Sequence, residues 1–180
     1  MLGTSRLLTF AFRALILLLI IAILWVGVAE SYNQALVALA SPMLPSEASV
    51  HELGVHLVFE HPLFSTGVAI DGLTLHFGLV LLSVLVLAAV GIKTGPRIGW
   101  LVALVVGSFV VHVFGVALVG RGLTWAAGTD SPAQSTRLVL SLFAVYWGLI
   151  PPAVGGMWCF AYWLPKLRNS PETQNTTTAN

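Results

Sequence analysis

Four stretches of this chain run almost without polar interruption, near residues 14–29, 73–92, 98–120 and 138–164. A helix crossing a hydrocarbon layer of about 30 Å needs roughly 20 such residues, so the pattern predicts four transmembrane helices. Only the connection between the first two, residues 30–72, is long enough to fold outside a bilayer. In it Tyr32, Leu36, Leu39, Ala40 and Met43 recur at spacings of three and four. That fits a helix continuing outward from the first span or one lying at the membrane surface. Ser41-Pro42 and Leu44-Pro45 then stop it. Val55-His56-Leu57-Val58-Phe59-Glu60 is β-branched and aromatic with partial alternation. His61-Pro62 and Ser65-Thr66-Gly67 break that run, and Val68-Ala69-Ile70 resumes it, the signature of a β-hairpin. The expected fold is an all-α membrane protein of four transmembrane helices with a small extracytoplasmic β-hairpin cap between helices 1 and 2. Its parts are an anchor helix (1–29), a cap segment (30–72), a three-helix membrane region (73–164) and a disordered polar tail (165–180).

Finer features sit on this frame. Lys93-Thr94-Gly95-Pro96-Arg97 is short enough to make a tight hairpin between antiparallel neighbours. The third run carries Ala103, Gly107, Val111 and Gly115 at four-residue spacing, a small-residue face that lets helix backbones approach closely in lipid. Pro151-Pro152 followed by Gly155-Gly156 removes backbone donors at mid-membrane and predicts a kink. Trp147 and Trp158, inside the fourth run, are expected to pack against neighbouring helices.

Composition agrees with the pattern: 57% of residues are hydrophobic and 8% charged, against about 25% charged in soluble domains. Net charge is +1 with no basic cluster, which excludes a nucleic-acid binder. Arg6 and Arg13 before a short apolar core suit a cleavable signal peptide or an uncleaved anchor, and the anchor is the reading adopted. Arg6, Arg13, Lys93, Arg97, Lys166 and Arg168 fall on one side of a four-span arrangement, Arg121 and Arg137 on the other. The positive-inside rule then puts both termini in the cytoplasm. Trp25, Tyr32 and Trp125 mark the outer interface, Trp100, Tyr162 and Trp163 the inner one.

Candidate chemistry is sparse. His51, His56 and His61 are five apart, so neither a strand nor a helix gathers all three. No His-Glu-x-x-His spacing or cysteine pair accompanies them, and they read as outward polar residues of the cap rather than a metal site. Arg121 and Arg137 flank the other outer loop and are expected to meet lipid phosphates, a partner's carboxylates or Asp130. His76 and His112 lie in or near the bilayer at similar depth, where ionisable groups are functional candidates. They suit axial ligands of a haem or of chlorophyll; alternatively His76 sits at the interface and His112 bonds to Ser83, Ser108 or Ser141. Cys159, the single cysteine, is expected in the inner half of the membrane, away from His112, so a Cys–His nucleophile is not expected.

The order of one span, an outer segment with the Tyr32–Leu44 stretch and short β-structure, a tight helical hairpin and a last span, covering most of residues 14–164, resembles small membrane proteins associated with exosortases. That resemblance implies an accessory partner of a bacterial protein-sorting enzyme, with no catalytic residue to carry over. The leading expectation is therefore a non-catalytic accessory or assembly subunit, without a cofactor, whose partners are membrane lipids and other integral membrane subunits. The alternatives are a haem- or chlorophyll-binding electron-transfer or photosynthetic subunit, and a membrane enzyme with its site at the outer face.

Overall fold

The computed structural model describes residues 4–63 and 67–165. The expected tail, the positions of Lys166 and Arg168, and the break at Ser65-Thr66 lie outside the described residues. Helix α1 runs unbroken over Thr4–Ala40, followed by a 3₁₀ turn at Ser41–Met43. Strands β1 (Ser49–Leu53), β2 (His56–Glu60) and β3 (Val68–Asp71) precede helices α2 (Gly72–Ala88), α3 (Thr94–Ala127) and α4 (Pro132–Trp158), and a π-helical turn at Cys159–Trp163 continues α4.

Of the two readings open for residues 31–44, the continuing helix is the one formed. Ala29, Asn33, Leu36 and Ala40 make its buried stripe, at helical spacings of four, three and four. Leu39, expected on that stripe, is 55% exposed, whereas polar Asn33 is fully buried. The N-terminal half of α1 exposes Leu8, Phe12, Leu15, Leu19 and Ile23. The helix ends where Pro42 enters, and the Ser41 hydroxyl closes the last turn on the Val37 carbonyl at 2.7 Å.

The cap is a three-stranded antiparallel meander in the order β1-β2-β3, one strand more than the expected hairpin. The missed strand contains His51 and Glu52. Leu53 pairs with His56 across a two-residue turn, Gly54-Val55, in which Gly54 takes φ 60°. A glycine with positive φ at the first central position suits the type II′ turn, whose twist matches antiparallel strands. Val50, Leu57 and Phe59 turn inward and join Leu36, Leu75, Val116 and Trp147 in the larger core cluster.

Among the described residues three helices are long and apolar enough to cross a membrane: α1, α3, and α4 with its π turn. Helix α2 is equally apolar but has 17 residues, about 25 Å at 1.5 Å per residue, shorter than the span expected from residues 73–92. The helix stops at Ala88, and Gly91 turns the chain with φ 84°. The tight connection is thus Ala89-Val90-Gly91-Ile92-Lys93, and Thr94-Gly95-Pro96-Arg97, expected as loop, forms the first turn of α3. From there Arg97 reaches back to the Ala89 and Ile92 carbonyls at 2.9 and 2.8 Å, a cation set on the C-terminal end of α2.

Of the small-residue face, Gly115 alone is enclosed. An added Cβ there would collide with the Trp147 indole, whereas at Gly107 it would meet nothing within 4 Å, and Ala103 is exposed. Along α4 the helix is continuous through Pro151-Pro152, with Pro151 seated against Gly78 of α2. The irregularity falls about two turns later, as the π turn at Cys159–Trp163. Trp158 and Trp163 pack there with Val86, Ala89 and Ile92 in a second core cluster, and the Trp163 indole donates to the Val90 carbonyl at 3.0 Å.

Candidate functional site

Two features qualify as candidates: a buried polar cluster at the cap end of the helices, and the polar surface of the cap.

The cluster grows from adjacent residues on α1. Asn33 faces inward on the buried stripe, and its amide Nδ2 donates to the Val55 carbonyl in the hairpin turn at 3.0 Å. The same carbonyl accepts the backbone N–H of Gly72, the first residue of α2, at 3.0 Å. A side chain at Gly72 would sit 2.5 Å from that oxygen and 2.7 Å from Asn33 Nδ2, so the junction needs glycine for its close approach. With Nδ2 committed as a donor, Asn33 Oδ1 accepts, and it lies 2.9 Å from Nε2 of His76. His76 therefore carries its ring hydrogen on Nε2. Its Nδ1 is buried without a hydrogen-bond partner among the described residues.

Tyr32 links the neighbouring helix. Its hydroxyl and Nδ1 of His112 share a hydrogen bond of 2.8 Å. The His76 and His112 rings pack against each other with centroids 4.7 Å apart, and the Trp147 indole stacks on His112 at 4.8 Å and 27°. Tyr32 and Trp25 close the edge of His76 at 4.8 and 5.9 Å. Gly115, one turn beyond His112 on α3, makes the slot that Trp147 fills. Polar and aromatic contacts thus join α1, α2, α3, α4 and the cap at one point.

Sequence reasoning placed His76 and His112 at similar depth but found neither of their partners. In the sequence Tyr32 stands as an interface marker and as a member of the Tyr32–Met43 stripe, and nothing singles out Asn33. The available signal was Asn33 at the four-three-four spacing of an otherwise apolar stripe. His76 is fully buried within the protein, and His112 bonds to Tyr32 rather than to a serine.

This packing does not fit a tetrapyrrole. Bis-histidine ligation puts the macrocycle between the imidazoles, and here the rings touch each other, with one nitrogen of each engaged by Asn33 or Tyr32. Separate ligation needs an imidazole nitrogen facing open space, while His76 is 0% and His112 5% exposed. Among the described residues, no group of three or more His, Cys, Asp or Glu is placed to hold a metal ion.

On the cap, each histidine stands beside a different acid. His51 lies 4.0 Å from Glu60, His56 lies 3.9 Å from its cross-strand partner Asp71, and His61 lies 3.7 Å from Glu47. His61, expected among the outward polar residues, is 8% exposed, and its Nδ1 accepts the Leu63 N–H at 3.2 Å. Arg121, expected to meet lipid phosphates, a partner's carboxylates or Asp130, donates through Nε to the Met43 carbonyl at 3.0 Å and ties α3 to the turn after α1. Arg137 is exposed on α4. Cys159 packs in the second core cluster, at the far end of α4 from Trp147 and His112.

A groove of about 900 Å³ runs between α2 and α4 below β3, lined by apolar side chains with Asp71 at its cap end. Comparison of the chain with protein-family models, with curated proteins and with solved structures finds no match.

Proposed function

We propose that this chain is a non-catalytic accessory or assembly subunit of a larger complex in a bacterial inner membrane. In this reading α2, lengthened by the Ala89–Ile92 connection, is a fourth crossing. Both termini are cytoplasmic, and the sheet caps the outer ends of the helices. The observation that carries the proposal is the use to which the buried polar groups are put. Tyr32, Asn33, His76 and His112 are engaged with one another and with the Val55 carbonyl, so they fasten helices to the cap.

Apolar helix surface beyond the bundle supports an assembly role. Leu8, Phe12, Leu15, Leu19 and Ile23 of α1 and Ala103 and Gly107 of α3 are exposed, and a Cβ at Gly107 would meet nothing within 4 Å. Close helix packing in lipid favours small residues of this kind. The likeness in outline to exosortase-associated proteins makes a protein-sorting enzyme the first partner to seek.

The test is site-directed disulfide or photo-crosslinking in native membranes from Gly107→Cys, where an added side chain meets no neighbour. A crosslink to one defined membrane protein, absent from a control cysteine at Arg137, supports the reading. Crosslinking to lipid alone from that position contradicts it.

A further inference from the structure

The α2/α4 groove calls for an occupant whatever protein partner the chain has. Its walls are Phe77, Leu81 and Leu85 from α2 and Leu140 and Phe143 from α4. Its floor is unusually low on the α4 side, because Gly148 and Gly156 present bare backbone and an added Cβ at either would meet nothing within 4 Å. The volume, about 900 Å³, lies in the range of ligand sites, 300–1,000 Å³. A void of that size lined by hydrocarbon forfeits its dispersion contacts and is filled by whatever apolar matter can reach it. From Asp71 to Leu85 the α2 wall rises roughly 21 Å at 1.5 Å per residue, more than the 15 Å of hydrocarbon in one leaflet. That is the shape of a lengthwise slot for lipid tails entering from the outer leaflet.

The polar end is chemically selective. Asp71 stands there with a side chain 44% exposed, and His56 lies 3.9 Å away. The whole segment 30–72 contains Glu30, Glu47, Glu52, Glu60 and Asp71 and neither Lys nor Arg. At Asp71 an anionic headgroup meets like charge and an amine meets opposite charge, while the exposed Arg137, one turn before Leu140 of the α4 wall, is a cation open to the phosphate that either lipid carries.

We propose that the α2/α4 groove binds one phospholipid with an amine headgroup, of the phosphatidylethanolamine type, its tails along Phe77–Leu85 and Gly148–Gly156 and its amine at Asp71. This rests on the membrane placement of the chain, which carbonate extraction of the membranes checks separately, and does not depend on the identity of the protein partner.

The experiment is native mass spectrometry of the full chain. The protein is exchanged in mixed micelles holding equal amounts of phosphatidylethanolamine and phosphatidylglycerol. The expected result is one retained phosphatidylethanolamine, favoured about tenfold over phosphatidylglycerol. Asp71→Asn keeps the oxygen that accepts the Leu73 N–H at the start of α2, so helix and cap remain while the charge goes. Headgroup preference then falls to near unity with a lipid still bound. Gly148→Leu fills the floor and abolishes retention, and Gly156→Leu serves if the first variant does not fold by circular dichroism. The proposal is overturned if the wild type retains no lipid, retains both lipids equally, or keeps its lipid when the floor is filled. Release of a protein helix rather than a lipid by Gly148→Leu overturns it as well.

Discussion

The amide of Asn33 donates to the carbonyl of Val55 across 3.0 Å, and through this bond a transmembrane-length helix holds the tip of a β-hairpin. The same side chain accepts from His76, so one residue of α1 positions both the cap and α2. Replacing Asn33 with Leu orphans the buried Nε2–H of His76 and frees the turn from the helix. Leaving a buried donor unsatisfied costs about 1–3 kcal/mol, and thermal unfolding in detergent is expected to shift by an amount in that range. Leu39→Ala, on the exposed face of the same helix, should change stability by less than about 0.5 kcal/mol. Equal effects of the two would mean that the buried stripe is set differently.

The two glycines of the α3 small-residue face should part company on substitution. Gly115→Val collides with the Trp147 indole and displaces the ring from His112, with an overpacking cost of about 1–3 kcal/mol or more. Gly107→Val enters open space and should leave the melting temperature unchanged or slightly raised. Circular dichroism melts with tryptophan fluorescence of the two variants check this. The same loss in both would show that Gly107 is enclosed.

These contrasts mark where the sequence stops being informative. Helix-forming runs, the breaker at Pro42 and the partial alternation of Val55–Glu60 follow from local chemistry, so membrane-length helices with a small β cap were legible, whereas the end of α2 at Ala88, before Gly91, was not. Strand β1 was missed because Ser49-Val50-His51-Glu52-Leu53 carries little apolar weight and gains its order by pairing with β2. The Gly115 slot and the Gly107 opening share one sequence signature, and only the position of Trp147 separates them. The histidines were visible as ionisable groups in apolar runs. Their partners were not, because Tyr32 and His112 are 80 residues apart and His76 and Asn33 are 43 apart.

Orientation has its own test. In a Cys159→Ser background, Leu53→Cys lies at the exposed tip of the cap and Lys93→Cys in the turn between α2 and α3. A membrane-impermeant maleimide added to intact spheroplasts should label the first and leave the second unmodified until the membrane is opened. The reverse pattern would invert the arrangement inferred from the arginines and lysines.

The most direct measurement of the central claim is isolation of the native protein in mild detergent, with an absorption spectrum taken on the material before its co-purifying subunits are identified. An accessory subunit is expected to be colourless and to bring a membrane protein with it in fixed ratio. A Soret or chlorophyll band that disappears on His76→Leu or His112→Leu would contradict the account and make the two histidines a cofactor site.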